Sequence, residues 1–168
     1  MSRHILSVLV QDEPGVLARV AALFARRGFN IESLAVGNTE LEGVSRMTIV
    51  VNVEESPLEQ VTKQLNKLIN VLKIVELDPT QSVAHQLIMV KVHADQASRS
   101  QVVEVAELFH CRIIDVAPDA ISMEATGSHD KIQTLLSLLE PYGVRELVQS
   151  GVVALARGGR SITDRAGK

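Results

Sequence analysis

The chain contains no tryptophan, one tyrosine, three phenylalanines and one cysteine among its 168 residues. Aromatics make up 2% and hydrophobic residues 46%, so any core is aliphatic, built from Val, Leu, Ile and Ala. The same scarcity excludes nucleic-acid modules that stack bases on Phe, Tyr or Trp, including the RNA-recognition type. A net charge of −3 and a pI near 5.9 remove the basic footprint that phosphate backbones require. The lone Cys111 permits neither a disulfide framework nor a zinc cluster. Heading an apolar run, it reads as a small buried hydrophobe. His110 beside it is no catalytic partner, because neighbours on a strand point to opposite faces. No apolar run has signal-peptide or membrane-spanning length, which places the expected location in the cytoplasm.

Enzymatic machinery is also missing. His4, His85, His93, His110 and His129 are scattered, without the spacing of a metal site or a triad. Gly158-Gly159 is not followed by a helix and so makes no phosphate loop. No catalytic residue, metal ligand or resident cofactor is assigned, and no intrinsic catalysis is expected.

What is present is a repeated order of elements. Ile5 to Val10 is a nearly continuous branched apolar run, the pattern of a central strand. Leu17, Val20, Ala21 and Phe24 fall at i, i+3, i+4 and i+7, giving one apolar helix face, with Gly28 placed to end the helix. Ile31 to Val36 and Met47 to Val53 read as strands joined by the polar loop Gly37 to Gly43. Ser56-Pro57-Leu58-Glu59 is a capping-box start for a second helix. Leu58, Val61, Leu65, Leu68 and Ile69 form its expected buried stripe. Val71 to Leu77 closes the unit as a fourth strand.

The polar break Asp78-Pro79-Thr80-Gln81-Ser82 then separates a second run of the same order. Leu87 to Val92 is a strand, Ser98 to Phe109 a helix, and Cys111 to Val116 and Ala120 to Thr126 are strands. A helix carrying Ile132, Leu135, Leu136 and Leu139 follows, and Val144 to Leu155 supplies closing strand material. The expected class is α+β, two tandem ferredoxin-like βαββαβ units. The first spans 1–78 and is expected to fold alone as a dimer. A linker covers 79–84, the second unit 85–157 and a flexible tail 158–168. Units of about 75 residues are small for independent stability, which favours a homodimer.

The two copies differ at the first turn. The first carries Asp12-Glu13-Pro14-Gly15 between strand and helix, and the second Ala94-Asp95-Gln96-Ala97-Ser98. A tight turn feeding a helix exposes amides without intrahelical partners, and the helix dipole adds partial positive charge there. Such a turn suits a carboxylate, while Asp12 can meet an ammonium. Together they form the minimum equipment for a free amino acid.

The run Ile5 to Glu40, with Arg27-Gly28-Phe29-Asn30-Ile31-Glu32-Ser33-Leu34 at its centre, closely resembles the ACT domain of acetohydroxyacid (acetolactate) synthase small subunits. So do Ser45 to Ile49, Gln64 to Leu68 and Val71 to Lys73. Glu107 to Phe109, Ile113 to Val116 and Ser150 to Gly158 resemble that family's C-terminal domain, so the resemblance covers nearly the whole chain. It implies a non-catalytic regulatory subunit in branched-chain amino acid biosynthesis. Its partner would be a large catalytic subunit using thiamine diphosphate, Mg and FAD, which the small subunit activates and subjects to feedback inhibition by valine. The implied effector site lies between two ACT domains. Asp12, Pro14, Gly15, Val16 and Leu17 come from one chain, Asn30 and Ile31 from the other. Where this chain has Asp12, small subunits often carry Asn, so the side chain keeps an acceptor and loses a donor. A stand-alone ACT-domain sensor acting on another enzyme is the alternative reading.

Overall fold

The computed structural model describes residues 2–164, the side chain of Ser56 excepted. Contacts divide it into two compact units, Met1–Val83 with Val152–Lys168, and Ala84–Gly151.

In the first unit, β1 (Ser2–Gln11) is the central strand its apolar run predicts, buried on both faces from Ile5 to Val10. It pairs antiparallel with β3 (Val44–Val53) and β4 (Val71–Leu77). The edge strand β2 (Ile31–Asn38) pairs with β3, giving the order β2-β3-β1-β4. Helices α1 (Val16–Arg26) and α2 (Glu55–Asn66) supply Val16, Val20, Phe24, Leu58, Val61 and Leu65 to one core. Opposite them, Leu6, Val8, Met47, Ile49 and Val51 alternate along the strands.

Helix α1 ends as its glycine signals. Gly28 has φ 73, and the Phe29 amide donates to the Phe24 carbonyl at 3.0 Å, the long-range bond of a Schellman motif. Helix α2 departs from expectation at both ends. It begins at Glu55 after Glu54, so Pro57 falls within the first turn rather than at its first position. A first-turn N–H has no intrahelical acceptor, so a proline there loses no bond. The helix stops at Asn66, and the chain turns before Ile69, which is 89% exposed instead of completing the buried stripe.

The second unit repeats the permutation. Strands β5 (Ser82–His93), β6 (Arg112–Val116), β7 (Ala120–Gly127) and β8 (Val144–Gln149) follow the order β6-β7-β5-β8. Helices α3 (Arg99–Leu108) and α4 (His129–Leu139) pack Val102, Ala106, Ile132, Leu135 and Leu139 against Ile88, Val90, Val92, Ile121 and Met123. Helix α3 ends like α1, with the Cys111 amide donating to the Ala106 carbonyl at 2.8 Å. His110 stands at φ 54 where the first copy has Gly28, so this histidine shapes a helix end. Cys111 is half-buried, and burial pushes its thiol up from the usual range.

The domain edges differ from the sequence reading. Residues 79–84 do not form a separate linker, because a short 3-10 turn at Pro79–Gln81 leads directly into β5. The closing material is two strands, and β9 (Val153–Ala156) groups with the first unit. There the Val152 amide donates to Ser33 Oγ at 2.7 Å, Arg46 Nη2 to the Ala154 carbonyl at 2.7 Å, and the Arg157 amide to the Gln81 carbonyl at 2.7 Å. Val152 and Ala154 are buried, as are Ile5, Ser7, Leu9, Thr48 and Val50 on the sheet face away from α1 and α2. The segment after Arg157, expected to be free, folds back as far as Asp164, whose carbonyl accepts from Lys73 Nζ at 3.3 Å. The last part of that expected tail, 165–168, lies outside the described residues.

A chain ended at Gly151 loses the buried Val152 and Ala154 and the bonds to Ser33 and Arg46. The expected cost to the first unit is about 3 kcal/mol. Urea unfolding of the full and shortened chains checks this, and coincident midpoints would show that the closing segment carries no stability.

Candidate functional site

The turn after β1 is built around Gly15, which precedes α1 at φ 86 and ψ −9. This left-handed conformation costs glycine little and strains most other residues. No side chain caps the helix, and its first turn carries no acidic residue. The Val16 amide reaches the Glu13 carbonyl at 3.4 Å, and intrahelical bonding begins with the Arg19 amide on the Gly15 carbonyl at 3.1 Å. Among the described residues the amides of Gly15, Leu17 and Ala18 have no backbone acceptor. Asp12 is exposed beside them, its amide donating to the Gly43 carbonyl at 2.9 Å. Its carboxylate makes no bond to another described residue.

The second copy differs in the turn ahead of its helix. Asp95 Oδ1 accepts from the Ala97 amide, the Ser98 amide and Ser98 Oγ, each at 3.0 Å. The Ser98 amide first, then its hydroxyl, holds the Asp95 carboxyl below the usual carboxylate range, with lesser help from the Ala97 amide and His93. Asp95 thus ties down the turn ahead of α3 and not the helix itself, whose Ser100 and Gln101 amides, like those of Leu17 and Ala18, have no backbone acceptor among the described residues. In the first copy Pro14 stands where Ala97 does and has no amide, and the Asp12 carboxylate stays without a bond to another described residue.

Not every expected site residue lies at this turn. Pro14 and Leu17 are exposed, Leu17 by 44%, and offer an aliphatic wall. The Val16 side chain instead sits in the core and cannot line an open pocket. Asn30 and Ile31 lie past the far end of α1, whose 11 residues span about 16 Å. Strand register agrees, since Ile31 and His4 both sit opposite Val51, whereas Gln11 sits opposite Val44. The two groups are therefore separated by about 20 Å along the sheet, too far for one amino acid to touch both within a chain.

One participant was not foreseen. Asn70, 8% exposed, donates through Nδ2 to Gln11 Oε1 at 3.1 Å and to Glu13 Oε2 at 3.0 Å. Its Oδ1 accepts from Arg19 Nη1 at 2.7 Å, and its carbonyl accepts from the Gln11 amide at 2.8 Å. The only trace in sequence is one amide interrupting the apolar run Leu68-Ile69-Asn70-Val71-Leu72, with nothing to connect it to a turn more than fifty residues earlier. Two other possible functions find no support in the described residues. They hold no cluster of three or more His, Cys, Asp or Glu able to bind a metal, and no helix long and apolar enough to cross a membrane.

A βαββαβ unit followed by a second of the same order is the tandem ferredoxin-like frame on which ACT domains are built. Residues 6–73 match the family described as "AHAS small subunit-like ACT domain", and residues 85–158 match "Small subunit of acetolactate synthase". The chain is 63% identical to the acetolactate synthase small subunit of Mycobacterium bovis over 95% of each chain. It is 59% identical to that of Mycolicibacterium smegmatis, over 95% of this chain and 94% of the relative. The crystal structure of the Thermotoga maritima acetolactate synthase small subunit superposes with a TM-score of 0.86 at 36% identity, covering 95% of this chain and all of that one. The chain belongs to the acetolactate synthase small-subunit family.

The Asp95 turn makes a pH-dependent prediction. A carboxyl depressed in the folded state stabilises above its unfolded value, near pH 4, and loses that contribution as pH falls through the folded value. The stability gap between wild type and Asp95→Asn should therefore be largest near pH 5 and shrink toward pH 2.5. Urea midpoints at the two pH values check this, and a constant gap would show that the carboxylate charge is not what holds the turn ahead of α3.

Proposed function

We propose that the chain activates the catalytic subunit of acetolactate synthase and makes it sensitive to feedback inhibition by valine, in branched-chain amino acid biosynthesis. The supporting observation is the turn at Gly15, where unclaimed amides adjoin the unpaired carboxylate of Asp12 in the first copy alone. The amides take the effector carboxylate, Asp12 takes its ammonium, and Leu17 meets its side chain. Feedback needs only micromolar to millimolar affinity, roughly −8 to −4 kcal/mol, within reach of a few charge-assisted hydrogen bonds of about 1.5–3 kcal/mol each.

The separation of Asn30 and Ile31 from the turn favours a site completed by a second chain. A two-fold dimer brings the turn of each copy to the β2 start of the other and forms two equivalent sites. Strand β2 is an edge of its sheet, so its outer side is available for that approach. A ligand held by both chains favours the dimer arrangement that fits it, and this differential affinity is what couples effector to activity. Catalysis belongs to the large subunit, which carries thiamine diphosphate, Mg and FAD.

Gly15→Asp tests the site. The Gly15 position has nothing within 4 Å of an added Cβ, so the substitution acts through backbone strain and negative charge and not through a clash within the chain. Expected are retained activation of the large subunit and at least a tenfold loss of valine affinity by calorimetry, about 1.4 kcal/mol. Unchanged valine affinity would remove the turn from the site. Failure of the wild type to activate the large subunit, with valine still bound, would instead favour a stand-alone amino-acid sensor.

A further inference from the structure

We infer that the pit between α1 and α2 is a docking site for an acidic segment of the acetolactate synthase catalytic subunit. The inference rests on the regulatory-subunit reading and names the surface through which this chain engages that partner.

Helical spacing builds the pit. Leu23, Arg26 and Arg27 stand at i, i+3 and i+4 at the end of α1, and Val61 and Gln64 at i and i+3 on α2. Together they enclose about 120 Å3. Leu23 packs on the core and Val61 is fully buried, so the floor is aliphatic. The walls carry two guanidiniums and a carboxamide, and no acid. Arg27 Nη1 donates to Gln60 Oε1 at 3.0 Å, which fixes that guanidinium against α2. The Arg26 and Gln64 side chains have no hydrogen-bond or ion-pair partner among the described residues.

Helix structure alone does not account for the arginine pair. The carbonyls that close α1 are already taken, Phe24 by the Arg27 and Phe29 amides and Ala25 by the Gly28 amide. The helix dipole favours a cation at this end by about 0.3–1 kcal/mol, but it supplies no acceptor for a guanidinium. Three strand arginines do find acids: Arg3 with Glu32, Arg112 with Glu124 and Arg145 with Asp119. Helix α1 and its cap are the contrast. They hold Arg19, Arg26 and Arg27 and no acidic residue, in a chain with 20 acids against 17 lysines and arginines. A cation pair left without acids in an acidic protein is one half of a complementary contact.

Size and charge choose the occupant. Sites for free metabolites run to about 300 Å3 or more, so this pit holds one inserted side chain and not a whole small molecule. A guanidinium presents a rigid fork of donors that matches a carboxylate, and the aliphatic floor takes the methylenes behind it. Aspartate or glutamate on a partner's segment meets both conditions. A second copy of the same face does not, because a two-fold contact centred here sets arginines against arginines.

Calorimetry of the full chain with the purified catalytic subunit, and activation of that subunit, test this. Arg26→Gln/Arg27→Gln removes both charges without placing an acid at the helix end. It should weaken binding by about tenfold or more. It should also flatten the dependence of affinity on NaCl between about 50 and about 500 mM. Arg26→Lys/Arg27→Lys, which keeps the charge and loses the fork, should fall between that variant and wild type. Gln64→Glu, which offers Arg26 an acid within the chain, should weaken binding as well, and it serves if the double variant does not fold. Arg145→Gln, on the second unit, should bind as wild type does. Wild-type affinity in both the double-glutamine and Gln64→Glu variants overturns the inference. So does equal weakening by Arg145→Gln, which would reduce the effect to overall charge. Loss of the chain's own dimer with subunit binding unchanged would make the pit a self-contact and overturn it too. A wild-type chain that neither binds nor activates the catalytic subunit overturns the regulatory reading itself, and this inference with it.

Discussion

The structure of the first unit turns on one unmet requirement. Every helix begins with amides that its own carbonyls cannot reach, and something else must take them. Neither α1 nor α3 has a side-chain cap, and the amides of Leu17, Ala18, Ser100 and Gln101 have no backbone acceptor among the described residues. The two copies differ ahead of the helix: Asp95 is bonded to the Ala97 and Ser98 amides, whereas Asp12 makes no bond to another described residue and Gly15 adopts a left-handed conformation that supplies no side chain.

The same economy governs how the first unit is covered. Its central strand is apolar on both faces, but two helices can shield only one of them. The closing segment beyond the second unit returns to supply part of the other cover, with Val152 and Ala154 buried and Ser33 and Arg46 bonded to its backbone. Chain order and unit membership therefore diverge. The family match at residues 85–158 follows sequence continuity, whereas the compact unit follows contacts.

Under the proposed function, regulation by a small ligand would follow from a site in two halves. Within one chain the Asp12–Leu17 turn and Asn30-Ile31 sit at opposite ends of α1, and a second copy would join them. Under the proposed function the ligand reports on assembly geometry, which is what a subunit without chemistry of its own can transmit to a catalytic partner.

Local patterns carried much of this protein in the sequence itself. The apolar run of β1, the glycine after α1 and the repeated order of strands and helices follow from side-chain periodicity and backbone preference, which act over a few residues. The Asp12–Gly15 turn, as a candidate anion site, was legible on the same basis, while the small-subunit resemblance rested on motifs such as Arg27 to Leu34. Local pattern failed where longer contacts decided. Ile69 fits the helical stripe by spacing, yet α2 ends before it and leaves it in water. Val16 looked like a pocket wall and is core. The return of Val152 to Ser33, and the bonding of Asn70 to Gln11, Glu13 and Arg19, link residues tens of positions apart. Such contacts are set by sheet register and chain topology, and no local periodicity encodes them. The sequence determined which elements form and where a site could be; tertiary structure decided which side chains are buried and which segment covers the first sheet, because burial and long-range hydrogen bonds choose among side chains that are locally equivalent.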